Sequence, residues 1–77
     1  MNLQELSAKA IETWPSEKLL IEVDRESTDD VPTGRYQIRV SVEEKPEILL
    51  LDTGYVMGWE DCCAKFVSLI MKSQVKA

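Results

Sequence analysis

Two segments of the chain alternate apolar and polar residues with a period of two, and this alternation constrains the fold more than any other feature. Residues 17–26 (EKLLIEVDRE) and residues 35–43 (RYQIRVSVE) each place every second side chain on the same side of an extended backbone. Apolar side chains therefore line one side of each segment, and mostly charged side chains line the other. This pattern predicts two strands of a sheet that has one buried face and one outer face.

The two predicted strands also fit each other as an antiparallel hairpin. In one register, apolar residues face apolar residues on one side, and acids face bases on the other. The apolar pairs are Leu19–Val42, Ile21–Val40 and Val23–Ile38, and the charged pairs are Lys18–Glu43, Glu22–Arg39 and Glu26–Arg35. A slip of one residue would set apolar side chains opposite charged ones. Because an exposed ion pair contributes only about 0.2–1 kcal/mol, it is the agreement between the two faces that predicts this hairpin, with residues 27–34 (STDDVPTG) as its loop.

A third strand is predicted at residues 48–52 (ILLLD). Ile48 and Leu50 would continue the buried face of the sheet, because side chains alternate along a strand. Leu49 and Leu51 would then lie on the outer face.

Apolar residues at helical spacing predict a first helix at residues 3–13. Asn2 and Glu5 have the spacing of a capping box, in which each side chain bonds the backbone N–H of the other residue. Pro15 restricts the preceding residue to extended geometry, so this helix should end near Thr13.

A second helix is predicted at residues 59–73, after a connection at residues 53–58 (TGYVMG). Gly58 is placed to act as the N-cap, and Glu60 and Asp61 lie in the first turn, where the helix dipole favours acids. This helix carries the residues whose chemistry most needs an explanation.

Those residues are Cys62 and Cys63, which fall on the apolar stripe of the second helix. A disulfide between sequence neighbours would need a strained geometry that helical backbone does not allow. A closed zinc site would need carboxylates or a second subunit, because the chain has no histidine and no third cysteine. The acids Glu60 and Asp61 oppose a reactive thiolate at this helix start. We therefore interpret both cysteines as core residues, with a redox-responsive role as the alternative.

The composition limits the classes of function. The 77 residues, 44% of them hydrophobic, predict one small domain over residues 1–77 with a modest core. The formal net charge of −5 disfavours binding to nucleic-acid phosphates or anionic membranes and suits a cytoplasmic protein. No stretch approaches the roughly 20 apolar residues of a membrane helix, and the first residues do not read as a signal peptide. Because histidine is absent and no catalytic grouping stands out, we expect no enzyme activity, no cofactor and no metal site.

The predicted elements form an α+β domain of order α-β-β-β-α, in which two helices pack on one face of a three-stranded antiparallel meander. This order resembles the double-stranded-RNA-binding domain over nearly the whole chain. The second helix of that family begins with lysines that meet phosphates, whereas this chain has GWEDCC at residues 58–63. Glu60 and Asp61 would repel RNA there, so the resemblance implies the topology without the basic motif and not RNA binding.

The sequence predicts one candidate surface for a partner. Leu20, Leu49 and Leu51 converge with Ser41 on the predicted outer face of the sheet. These leucines form an exposed apolar patch, of the kind that marks partner surfaces, unless a loop or a crossing helix covers them. A strand at the edge of the sheet at residues 48–52 would also offer unpaired backbone to a second chain.

The function that this surface predicts is a small non-catalytic interaction or regulatory module that acts through a protein partner or as a homodimer. One alternative is an acidic mimic of nucleic acid that blocks a nucleic-acid-binding protein. The other is a redox-responsive protein that uses Cys62 or Cys63.

Overall fold

The computed structural model describes the backbone of residues 1–75 and the side chains of residues 1–73. Its elements follow in the order α1 (Leu3–Thr13), β1 (Leu19–Thr28), β2 (Val31–Val42), β3 (Lys45–Asp52), β4 (Val56–Met57) and α2 (Trp59–Val75). The strands pair antiparallel in the order β1-β2-β3, and β4 pairs with β2. The predicted α+β class, the α-β-β-β-α order and the antiparallel meander are confirmed. The short strand β4 is new, and it lies in the segment predicted to be a connection.

The hairpin of β1 and β2 has the predicted register over its central part. The predicted pairs that it contains are Leu19–Val42, Ile21–Val40, Val23–Ile38 and Glu22–Arg39. The nearest carboxylate to Arg39 is nevertheless that of Asp24, at 3.0 Å, and the carboxylate of Glu22 directly opposite lies at 3.9 Å. The apolar face therefore sets the backbone register, and the long arginine side chain then reaches a diagonal neighbour.

Two of the predicted ion pairs are wrong. The backbone N–H of Glu43 donates to the carbonyl of Lys18 at 2.8 Å, but the ammonium group of Lys18 lies 3.9 Å from the carboxylate of Glu44. Glu26 and Arg35 do not face each other, because the register of the hairpin shifts between Arg25 and the end of β1.

The turn between β1 and β2 is much shorter than the predicted loop at residues 27–34. β1 continues to Thr28 and β2 begins at Val31, which leaves a two-residue turn at Asp29 and Asp30. Both aspartates lie in the left-handed region, with φ of 51° and 65°. Two-residue turns of this kind match the right-handed twist of a hairpin, and aspartate adopts the left-handed conformation more easily than most residues.

Near the shift in register between β1 and β2, the sheet contacts the residue just before α2. Gly34, on the β2 side of the shift, has a φ of 86°. The carbonyl of Gly34 accepts a hydrogen bond of 2.7 Å from the N–H of Gly58. β4 lies alongside this part of β2, with Val56 and Met57 opposite Tyr36 and Arg35, respectively.

Both helices begin as the sequence predicts. The N–H of Glu5 donates to Asn2 Oδ1 at 2.9 Å, and the N–H of Asn2 donates to Glu5 Oε1 at 3.1 Å, which completes the capping box of α1. α1 ends at Thr13. At α2, the carbonyl of Gly58 accepts the first helical hydrogen bond, from Cys62 at 3.0 Å. α2 runs two residues beyond its predicted end at residue 73, to Val75.

The core lies between the two helices and the inner face of the sheet. Its buried members come from both helices and from β2 and β3: Leu6, Ala10, Ile38, Val40, Leu51, Cys62, Cys63, Phe66 and Ile70. The rings of Tyr36 and Trp59 meet edge to face at the margin of this cluster, with centroids 5.5 Å apart. The helices therefore cover one face of the sheet, and the opposite face is left for other contacts.

Candidate interaction surface

Three of the four residues predicted to form a partner surface lie in one row across the outer face of the sheet. Ser41 of β2 pairs with Leu20 of β1 on one side and with Leu49 of β3 on the other. Leu20 is 36% exposed and Leu49 is 51% exposed, whereas the small serine between them is only 4% exposed. We call these three residues the leucine row. Its two leucines are open to solvent, so neither a loop nor a helix of the described chain covers them.

The fourth predicted residue, Leu51, was placed on the wrong face. Leu51 lies opposite Val40 and is 5% exposed, as part of the core. The pairs Val40–Leu51 and Ser41–Leu49 leave Leu50 as an extra residue between them. Such a bulge shifts the alternation of side chains by one position, so that Leu51 turns inward.

The same change of register affects the start of β3. Ile48 was predicted to lie in the core, but its side chain is exposed, while Leu50 packs partly against the core as predicted. The pairing shifts a second time between Ser41–Leu49 and Val42–Lys45. Pro46 lies in this interval and has no N–H to donate to β2, which explains the interruption.

A polar cluster around Arg39 borders the leucine row on the outer face. The guanidinium group of Arg39 contacts Asp24 and Glu22. Next to it, Gln37 Nε2 donates to Asp52 Oδ1 at 2.8 Å, and the same carboxylate oxygen accepts from the N–H of Gly54 at 2.8 Å. These bonds fix the side chains around the row, so that the apolar strip has a polar border, as partner surfaces commonly do.

The outer edge of β3 adds unpaired backbone to this apolar surface. Within the described chain, β2 is the only strand that pairs with β3. Ile48 and Leu49 are exposed on this strand. Below the edge, on the helical side of the sheet, β3 and the last turns of α2 enclose an open cleft of about 350 Å³, lined by Leu50, Leu51, Asp52, Leu69, Lys72 and Ser73. No sequence pattern points directly to this cleft, because it depends on where α2 crosses β3.

A second cleft lies at the opposite edge of the sheet, between α1 and β1. It has a volume of about 520 Å³ and is lined by Ser7, Ile11, Glu17, Leu19 and Ile21. Ile11 is exposed although it follows the helical spacing of apolar residues in α1. The sequence alone does not distinguish Ile11 from the apolar residues of α1 that reach the core, so it does not point to this cleft.

The cysteines lie away from both clefts. Cys62 Sγ donates to the carbonyl of Tyr36 at 3.3 Å and lies 3.6 Å from the hydroxyl of Thr53, and that hydroxyl in turn accepts from the N–H of Ile38. Burial raises the pKa of the Cys63 thiol, which lowers the fraction of reactive thiolate. Both cysteines are free and buried, and their contacts are those of packed core side chains.

The described residues contain no group of three or more Cys, Asp or Glu side chains arranged to hold a metal ion. Neither of the two helices described has the length and apolar character needed to cross a membrane. Comparison of the chain with protein-family models, with curated proteins and with solved structures finds no match.

Proposed function

We propose that this protein is a non-catalytic interaction module that binds a protein partner through the leucine row and the adjoining edge of β3. The observation that carries the proposal is the exposure of Leu20 and Leu49 on the sheet face opposite both helices. Two leucines in a cross-strand row, next to exposed Ile48, form an apolar strip that the described residues leave uncovered. Association with another protein removes such a strip from water.

The polar cluster supports the same proposal. The contacts that Arg39 and Gln37 make with the carboxylates of Asp24 and Asp52 hold these side chains in place before a partner arrives. A surface that is ordered in advance loses less conformational entropy on binding. The two free, buried thiols also agree with a reducing compartment such as the cytoplasm.

The test is affinity capture from the source cell with three baits: the wild-type chain, Leu49→Asp and Val31→Asp. Val31 is an exposed apolar strand residue next to the Asp29–Asp30 turn and outside the leucine row, so its substitution is the matched control. We expect the wild-type and Val31→Asp baits to retain the same protein and the Leu49→Asp bait to lose it. Identical capture by all three folded baits would overturn the proposal.

Salt separates this function from that of an acidic nucleic-acid mimic. Apolar contact through the leucine row should survive high ionic strength, whereas binding by carboxylates is screened. A partner that Leu49→Asp still retains, and that high salt releases, would favour the mimic instead.

A further inference from the structure

We propose that a second copy of this chain pairs antiparallel with the free edge of β1 and extends the sheet on the side away from β3. This inference goes beyond the proposed function, because it assigns a separate interface and leaves the edge of β3 to the protein partner. It is carried by the backbone direction along β1, by the charges that flank the strand on both faces, and by the cleft between α1 and β1.

The free edge of β1 presents the backbone groups of alternate residues. The carbonyl of Lys18 accepts from the N–H of Glu43, so the even-numbered residues that follow in β1 turn their backbone groups towards β2. Leu19, Ile21 and Val23 therefore turn theirs outward, and within the described chain β1 has no strand on that side. A second β1 strand forms hydrogen bonds there only when odd-numbered residues of the two copies lie opposite each other.

The acids of β1 limit where the twofold axis of such a pair can lie. Glu22 and Asp24 both lie on the outer face. An axis at Glu22 or at Val23 would place carboxylates opposite each other, and like charges in that position destabilise a strand pair. An axis at Ile21 avoids this contact, because Glu22 then lies opposite Leu20 of the second copy.

The axis at Ile21 pairs opposite charges on the outer face. Lys18 lies on that face, because it alternates with Leu19, whose side chain packs against the core. Asp24 lies on the same face, where its carboxylate is 3.0 Å from the guanidinium group of Arg39. Lys18 of each copy comes opposite Asp24 of the other, so the two charges meet on one side of the sheet.

The same axis pairs opposite charges on the helical face. Glu17, just before β1, lines the cleft together with Leu19 and Ile21, which places it on this face. Arg25 lies opposite Tyr36, which packs at the margin of the core, so Arg25 shares the face. Glu17 of each copy comes opposite Arg25 of the other. No other axis along β1 that keeps odd-numbered residues opposite each other brings opposite charges together on both faces.

The cleft between α1 and β1 gives the second copy an apolar surface to cover. The cleft has a volume of about 520 Å³, and Ile11 in its lining is 58% exposed. Val23 is 37% exposed on the same side of the sheet. Pairing places Val23 of one copy opposite Leu19 of the other, beside the cleft, and Ile21 opposite its counterpart. These apolar side chains lose contact with water as the strands join, which favours the dimer.

The first experiment is light scattering of the wild-type chain over a range of concentrations. We expect the mass to rise from 8.8 kDa towards twice that value, and Leu49→Asp to behave in the same way, because Leu49 lies on β3. A wild-type chain that stays monomeric at the highest attainable concentration overturns the dimer. A dimer that Leu49→Asp abolishes overturns its assignment to β1. Capture of a protein partner through Leu49 is a separate measurement, so the two proposals fail separately.

Charge reversal then tests the register. Neither Glu17 nor Arg25 forms an ion pair with another described residue, so reversal of either charge breaks no such contact in the monomer. Glu17→Arg alone brings bases together and Arg25→Glu alone brings acids together, so we expect each variant to self-associate about tenfold more weakly. In an equimolar mixture, each of these contacts has one acid and one base. We expect the mixture to form a one-to-one dimer at concentrations where each variant alone is monomeric.

Lys65→Glu is the matched control for net charge. It changes the charge as much as Arg25→Glu does, on an exposed residue of α2, and should dimerise nearly as well as the wild type. Equal weakening by Lys65→Glu and Arg25→Glu would overturn the register. So would a mixture of Glu17→Arg and Arg25→Glu that gains no dimer although circular dichroism shows both variants folded.

Hydrogen exchange of the wild-type chain tests the same edge without any substitution. The N–H groups of Ile21 and Val23 point to the free edge in the monomer, and the second copy would accept hydrogen bonds from them. We expect exchange at these amides to slow as the protein concentration rises. Slowing that is confined to the amides of β3 would overturn the pairing through β1.

Discussion

The indole Nε1 of Trp59 donates a hydrogen bond of 2.7 Å to the carbonyl of Met1, 58 positions earlier in the chain. This bond joins Met1, two residues before the start of α1, to the first residue of α2. The adjacent ring of Tyr36 packs edge to face on the same indole. One side chain thus connects both helices and the sheet.

Trp59→Phe should therefore destabilise the fold although the aromatic ring is kept. The substitution removes the donor to Met1, and we expect the free energy of unfolding to fall by about 1–2 kcal/mol. Urea unfolding monitored by circular dichroism measures the change. Trp14→Phe is the control, because Trp14 also packs at the margin of the core. Equal losses in the free energy of unfolding for the two variants would show that the hydrogen bond to Met1 adds no measurable stability.

Two leucines that are two residues apart on β3 should lose very different amounts of stability on the same substitution. Leu51→Asp places a carboxylate in the core and should reduce the free energy of unfolding by about 4 kcal/mol or more. Leu49→Asp changes an exposed side chain and should reduce it by no more than about 1 kcal/mol. Denaturation of both variants at low protein concentration, where self-association is absent, gives the comparison. Similar losses would contradict the bulge at Leu50.

This pair of leucines also shows the limit of prediction from the sequence. The central register of β1 against β2 was predictable because both strands alternate apolar and polar residues, although only one of the three predicted ion pairs, Glu22–Arg39, is present. Residues 48–52 contain four apolar residues in succession, so no alternation distinguishes one face from the other. The bulge at Leu50 and the interruption near Pro46 depend on pairing with β2, and nothing within β3 itself reveals them. The sequence therefore predicts the outer face correctly for Leu20, Ser41 and Leu49. It wrongly predicts an outer position for Leu51 and a core position for Ile48.

The turn at Asp29 and Asp30 should become more stable when its second residue is glycine. Asp30 has a φ of 65°, and glycine adopts this conformation without the clash that a Cβ causes. We expect Asp30→Gly to raise the free energy of unfolding by about 0.5–1 kcal/mol. Asp30→Val is the opposing control, because a branched side chain strongly disfavours this φ. Thermal unfolding ranks the three proteins, and a midpoint for Asp30→Gly below that of the wild type would contradict the turn.

The thiols should react slowly in the folded protein and at similar rates once denaturant unfolds it. Both are buried, so labelling by a disulfide reagent requires the core to open. Burial raises the pKa of Cys63, and the folded thiol therefore stays protonated to a higher pH than the unfolded one. We expect its native labelling rate to keep rising with pH beyond the point at which the rate in the denatured chain levels off.

Single-cysteine variants, Cys62→Ala and Cys63→Ala, assign the labelling rate to one thiol. The raised pKa of Cys63 also sets a direction for stability. The contribution of the protonated Cys63 thiol to the free energy of unfolding is fully present below the pH at which the unfolded thiol ionises. It is lost as the pH rises towards the higher pKa of the folded thiol. Rapid native labelling of either cysteine at neutral pH would instead support a redox-responsive protein.

The hydrogen bond from Gly58 to Gly34 has a consequence for how the molecule opens. Helix ends commonly fray because their first amides lack partners within the helix. Here the N–H of Gly58, just before α2, donates to the carbonyl of Gly34, a strand residue 24 positions earlier in the chain. That amide can exchange its proton with water only when the helix start separates from the sheet, so its exchange rate reports on the two layers parting and not on the end of one helix unwinding.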